Sequence, residues 1–77
     1  MDNVNKSLSV IIPAYNEAQN ILPTLENVEK ALAGLGIKYE VIVIDDGSVD
    51  GTGNIVEENL QKYPNVRLSR NIENRGI

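Results

Sequence analysis

Neither cysteine nor histidine occurs anywhere in the 77-residue chain. Their absence removes disulfide frameworks, zinc centres of the usual kind, and catalysis built on a thiol or an imidazole. A chain with no disulfide framework is expected in a reducing cytoplasm. Basic residues are also few: 7 Lys and Arg stand against 11 Asp and Glu, for a net charge of −4, and the basic ones are spread along the sequence. No basic cluster is available to neutralise phosphates, so nucleic acid is not an expected partner. Long apolar runs are missing too. The first, "LSVII", is too short for the core of a secretory signal and has no basic segment before it. Nothing approaches the ~20 apolar residues of a membrane-crossing helix.

Apolar residues make up 42% of the chain, an ordinary share for a globular protein and too much for a disordered one. The length sets one domain as the upper limit, and a chain of this size buries only about 60% of its unfolded surface. The opening "MDNVNKS" is polar and reads as a frayed start.

"LSVIIP" (8–13) is a short β-rich apolar run closed by Pro13, which predicts a buried strand. After the polar "AYNEAQN" (14–20), Asn20 suits a helix N-cap, and Pro23 falls in the first turn, where its missing N–H costs nothing. Ile21, Leu25, Val28, Leu32 and Leu35 then recur at steps of four and three, forming one helix face. Gly34 and Gly36 suit a left-handed helix end. "YEVIVID" (39–45) is a second strand, and "VIVI" has no polar alternation, which predicts a central parallel strand covered on both faces. Asp50 or Ser48 can cap a second helix whose apolar face is Ile55, Val56, Leu60 and Tyr63 and which Pro64 stops. "VRLSR" (66–70) alternates as an edge strand does. The order is β-α-β-α-β: an α/β fold, half of a doubly wound parallel sheet with strand order 3-2-1. Strand 1 would ordinarily carry another strand on its free side. Its "SVII" edge therefore predicts self-association.

In open parallel sheets, ligands bind outside the carboxyl ends of the strands. Two segments sit at that edge: "PAYNE" (13–17) after strand 1 and "DDGSVDGT" (45–52) after strand 2. Neither a dinucleotide fingerprint nor a phosphate loop is present at these turns. A carboxylate at a strand end can accept the imino N–H of uracil or guanine, a charge-assisted bond contributing roughly 1.5–3 kcal/mol. Strand neighbours point to opposite sides, so Asp45 and Asp46 are not expected to face one base together. Tyr15 can cover the face of a base or ribose, and Pro13 and Ala14 bring backbone carbonyls to the base edge. Simpler roles stand beside these: Asp50 as an N-cap, Glu57–Glu58 as a solvated face, and the Leu/Val stripe of the first helix as core.

"SVIIPAYNE", then "VIVIDDGSVDGT", then "RNIENRG" together resemble the amino-terminal part of glycosyltransferase family 2, and especially its polyprenyl-phosphate branch of dolichol-phosphate sugar transferases. The resemblance implies a nucleotide-diphospho-sugar transferase (GT-A) fold, with residues 1–77 forming a single partial domain, its nucleotide-binding half. It implies transfer of a sugar, with inversion, from UDP- or GDP-sugar to an acceptor such as polyprenyl phosphate or a saccharide. It places Pro13, Ala14, Tyr15, Glu17, Asp45, Asp46, Asn74 and Gly76 at the nucleotide, with Arg75 between the last two and Asp46 as the reader of the base. Asp45-Asp46-Gly47 is not the family's metal motif. That Asp-x-Asp and the catalytic base come in later segments, so no catalytic or metal residue is assigned here. Mg or Mn is expected for the full-length enzyme and no bound metal for this chain alone, which is expected to be inactive by itself. A cytoplasmic and, at full length, membrane-peripheral location is implied.

Val49 and Ile77 depart from the residues usual in the family, which are polar and basic respectively. Two alternatives remain. One is a non-catalytic nucleotide-binding or self-associating remnant. The other is a receiver-like signalling module, whose acidic pair would however follow the first strand rather than the second.

Overall fold

A computed structural model describes residues 7–71. The elements run β1 (Ser7–Ala14), α1 (Ile21–Ala33), β2 (Lys38–Asp46), α2 (Thr52–Asn59), one 3-10 turn (Leu60–Lys62) and β3 (Val66–Asn71). The three strands form one parallel sheet in the order β1-β2-β3, with β2 central. Each strand is slightly longer than its apolar run predicts, and β1 extends through Pro13 to Ala14. A proline is tolerated there because β1 lies at an edge among the described residues.

Register decides which side chains share a face. Val10, Ile12 and Ala14 lie beside Val41, Val43 and Asp45, which lie in turn beside Val66, Leu68 and Arg70. Both helices pack on this face, and Ala14, Ile21, Leu25, Leu32, Val41, Val43, Val56 and Val66 make one core cluster. Fully buried aliphatic side chains of this kind contribute about 1.5–3 kcal/mol each relative to exposure. Tyr63 packs against the same core, and its hydroxyl donates to Glu26 Oε1 on α1 at 2.8 Å.

The opposite face differs from the expectation drawn from "VIVI". Ile42, Ile44 and Asp46 are only half-buried, and Ile11 beside Ile42 is 51% exposed. An unbroken aliphatic strand predicts cover on both sides, yet the described residues supply cover for one. At the lower end of this face Glu40 ties the three strands together. It accepts from Ser9 Oγ at 2.6 Å and from Arg67 at 2.7 Å. The Ser9 hydrogen bond, then the Arg67 charge, holds its carboxyl below the usual range.

Helix ends depart from the sequence reading. Asn20 occupies the N-cap position of α1 without a side-chain cap, and the Glu17 carbonyl takes the Asn20 and Ile21 amides instead. The helix stops at Ala33, so Leu35 falls beyond it and is exposed. Gly34 is right-handed, and Gly36 (φ 70°) supplies the left-handed turn. The N-cap position of α2 is Gly51 (φ 92°), a conformation that favours glycine. Leu60 lies past the α-helical part, in the 3-10 turn. Among the described residues, no helix is long and apolar enough to cross a membrane.

Candidate functional site

At the carboxyl ends of the strands lies a cleft of about 660 Å³, lined by Pro13, Ala14, Tyr15, Glu17, Ile44, Asp46 and Asn71. It brings together the end of β1, the loop after it, and the ends of β2 and β3. Pro13, Ala14 and Ile44 give it an apolar part, and Tyr15 adds an aromatic ring that is half-exposed. Glu17 and Asp46 supply the carboxylates. The shape is that of ligand clefts generally, apolar walls with a few convergent polar groups.

Asp46 and Asn71 are register partners at the ends of β2 and β3. The Asn71 side-chain amide donates to Asp46 Oδ1 at 3.2 Å. Among the described residues no ion pair engages Asp46 or Glu17. The two acids therefore present acceptor oxygens to the cleft with no paired cation among the described residues.

Asp45 is placed elsewhere. It points to the helix-covered face and is 2% exposed. Its Oδ1 accepts the Ser48 amide at 3.2 Å, and its Oδ2 lies 3.8 Å from Arg70 Nε. Arg70 also donates from its Nη1 to Asn54 Oδ1 at 3.2 Å and to Glu57 Oε1 at 3.1 Å. A buried carboxylate needs such partners to remain charged. Gly53 lets α2 approach this pair, because a Cβ there would sit 2.7 Å from Arg70 Nε and 2.8 Å from Arg70 Cζ and would overlap Asp45 Oδ2.

Asp50 serves the helix as expected, though from the residue before the cap position. Its Oδ1 accepts the Thr52 amide at 3.1 Å and also the Thr52 hydroxyl. Its Oδ2 accepts the Ala18 amide at 3.0 Å, across in the loop after β1. The Thr52 hydroxyl, then the Ala18 amide, holds the Asp50 carboxyl below its ordinary range.

Of the residues singled out from sequence, Pro13, Ala14, Tyr15, Glu17 and Asp46 line the one cleft, and Asp45 does not. Asn74 and Gly76, with Arg75 between them, lie outside the described residues. Two lining residues were missed. Ile44 is legible by alternation, since it lies two positions before Asp46 on the same strand face. Asn71 is legible only once β2 and β3 are put in register.

A family model, Glycosyl transferase family 2, matches residues 9–77. A dolichyl-phosphate beta-glucosyltransferase of Dictyostelium discoideum is 41% identical over 83 residues, covering 99% of this chain and 25% of that protein. A dolichol-phosphate mannosyltransferase of Pyrococcus furiosus is 40% identical over 70 residues, covering 91% of this chain and 19% of that protein. A human dolichyl-phosphate beta-glucosyltransferase is 39% identical over 85 residues, covering 97% of this chain and 25% of that protein. The chain thus spans about a quarter of the Dictyostelium and human relatives it matches. Neither the receiver-like module nor the non-catalytic remnant is favoured by these matches. The acidic pair after a second strand, the "PAYNE" segment after the first and the match across 9–77 agree: the chain belongs to glycosyl transferase family 2.

Proposed function

We propose that this chain is the nucleotide-sugar-binding portion of an inverting glycosyltransferase that moves a sugar from UDP- or GDP-sugar to an acceptor. A polyprenyl phosphate is the preferred acceptor, because the relatives named above are dolichyl- and dolichol-phosphate sugar transferases; a saccharide is the second choice. The observation that carries the reading is Asp46, free of any ion pair among the described residues, in a cleft shared with Tyr15, Pro13 and Ala14. In this reading Asp46 accepts the imino N–H of the base, as the carboxylate of a charge-assisted bond. Asn71, donating to Oδ1, fixes the carboxylate plane and leaves Oδ2 for the base. Tyr15 covers a face of the base or ribose, and Glu17 accepts from ribose hydroxyls. Asn74 and Gly76 belong to the same nucleotide site. Asp45 acts from beneath, holding the turn that follows Asp46.

Mg or Mn is proposed as the metal of the full-length enzyme, where it would offset charge on the leaving diphosphate. The residues described here do not fit a metal centre: Glu17 and Asp46 are the only acids lining the cleft, and no group of three metal-ligating side chains gathers among the described residues. The 77-residue chain is accordingly expected to bind UDP or GDP weakly and to transfer no sugar by itself. Metal-dependent transfer from UDP- or GDP-sugar to a polyprenyl phosphate by the purified chain would overturn the second statement. A cytoplasmic site of action, peripheral to the membrane at full length, follows from the same reading, and fractionation of the full-length protein checks it.

A second reading concerns assembly. The outer edge of β1 is unpaired among the described residues, and Leu8 and Ile11 on this strand are exposed. Such an edge is a template for strand addition. Self-association through β1 predicts a sedimentation mass that rises with concentration. A constant monomer mass would rule it out.

A further inference from the structure

Three consecutive backbone amides in the loop after β1 find their acceptors in side chains of the loop after β2 and of the first residue of α2. The Asn16 amide donates to Ser48 Oγ at 2.8 Å, the Glu17 amide to Thr52 Oγ1 at 2.8 Å, and the Ala18 amide to Asp50 Oδ2 at 3.0 Å. One bond returns: the Val49 amide donates to Asn16 Oδ1 at 2.9 Å. Asn16 sits in the left-handed region (φ 55°), which asparagine tolerates better than most residues.

Helix capping alone does not explain this pattern. A cap needs one side-chain acceptor for the first amides of α2, and Asp50 Oδ1 already accepts the Thr52 amide. Thr52 is the first residue of α2 and is 0% exposed, and its hydroxyl donates to Asp50 while accepting the Glu17 amide from the loop after β1. Ser48 has no bond to α2 among its hydrogen bonds as donor or acceptor; it receives Asn16. The shared target of the three side chains is the segment 16–18. Tyr15 and Glu17, which flank Asn16, both line the cleft.

We propose that Ser48, Asp50 and Thr52 are positioning residues for the cleft: together they clamp the loop after β1 and so set where Tyr15 and Glu17 stand relative to Asp46. This rests on the reading of the cleft as the nucleotide site. It gives "GSVDGT" a role apart from ligand contact: the motif holds the opposite wall. Asp46 sits on β2 and its carboxylate is placed by the sheet, whereas Tyr15 and Glu17 sit on irregular backbone that needs these bonds to keep one conformation.

The test uses the 77-residue chain and its Thr52→Val, Thr52→Ser and Ser48→Ala variants, with amide exchange and UDP and GDP titrations followed by NMR. Thr52→Val keeps the shape and removes the hydroxyl, both as acceptor for the Glu17 amide and as donor to Asp50. Its Glu17 amide should exchange about tenfold faster while β2 amides are unchanged, and the nucleotide that binds the parent should bind about tenfold more weakly. Thr52→Ser should restore both, which a role in packing alone would not produce. Unchanged Glu17 exchange, or parental affinity in folded Thr52→Val, overturns the proposal. If Thr52→Val does not fold, Ser48→Ala decides in the same way at the Asn16 amide. If the parent binds neither UDP nor GDP, the nucleotide reading fails by itself. Exchange at residues 16–18 then still decides the clamp: faster exchange in the variants upholds it, and unchanged exchange overturns it.

Discussion

Asp45 and Asp46 are neighbours in the chain and lie on opposite faces of β2. Asp45 is buried beneath α2 beside Arg70 Nε, at 3.8 Å, while Asp46 meets Asn71 at 3.2 Å in the cleft. The alternation of strand side chains imposes this division. Asp45 accepts the Ser48 amide of the turn and Asp46 lines the cleft, so the two should answer differently to the same substitution.

Asp46→Asn keeps the size of the side chain and its bond with Asn71, and removes the charge. Nucleotide affinity should fall by one to two powers of ten, about the 1.5–3 kcal/mol of a charge-assisted bond. Urea stability should stay within about 0.5 kcal/mol of the parent, as for a half-exposed site. Titration and denaturation of the same samples separate the two effects. A loss of stability with affinity unchanged in the folded protein would make Asp46 a structural residue.

Gly53→Ala tests the packing around Asp45. Alanine in a helix ordinarily gains about 1 kcal/mol over glycine. Here the added Cβ would come within 2.7 Å of Arg70 Nε and would overlap the buried Asp45 carboxylate. The sign should therefore reverse, with a loss of about 1–3 kcal/mol as the pair is pushed apart. Chemical denaturation reads it directly, and a stabilised variant would show that Arg70 swings clear without cost.

Acidification should loosen the clamp. The Asp50 carboxyl titrates below its ordinary range because the Thr52 hydroxyl and then the Ala18 amide donate to it. A carboxyl with a lowered folded value contributes stability that is present above the unfolded pKa of about 3.9 and is lost as pH falls through the folded value. Glu40 acts in the same direction. The urea midpoint of the parent should thus exceed that of Asp50→Asn at pH 7, with the gap closing below about pH 3.9. A gap that does not change with pH would mean that the charge on Asp50 is irrelevant to stability.

The β-α-β-α-β order was legible because each element carries a plain local signal: "VIIP" and "VIVI" as aliphatic runs, and Ile21, Leu25 and Leu32 at helical spacing. The cleft was legible in part, since Pro13, Ala14, Tyr15, Glu17 and Asp46 follow strands whose carboxyl ends had to share one edge. The half-open second face was not legible, because an all-aliphatic strand looks the same whether its cover comes from nearby residues or not. The hidden feature was the set of bonds between loops. Ser48, Asp50 and Thr52 are common turn and cap residues by composition, and only register between β1 and β2 brings them to the amides of 16–18. Asn71 was hidden for the same reason, as its partnership with Asp46 exists only across paired strands.

The most direct measurement is a residue-resolved NMR titration of the 77-residue chain with UDP and with GDP. Binding in the cleft predicts saturable shifts confined to Ala14, Tyr15, Glu17, Ile44, Asp46 and Asn71, the loops that carry them, and Asn74 and Gly76, with one nucleotide preferred. No shift with either nucleotide at millimolar concentration, or saturable shifts centred on another surface, would contradict the assignment of this cleft as the nucleotide site.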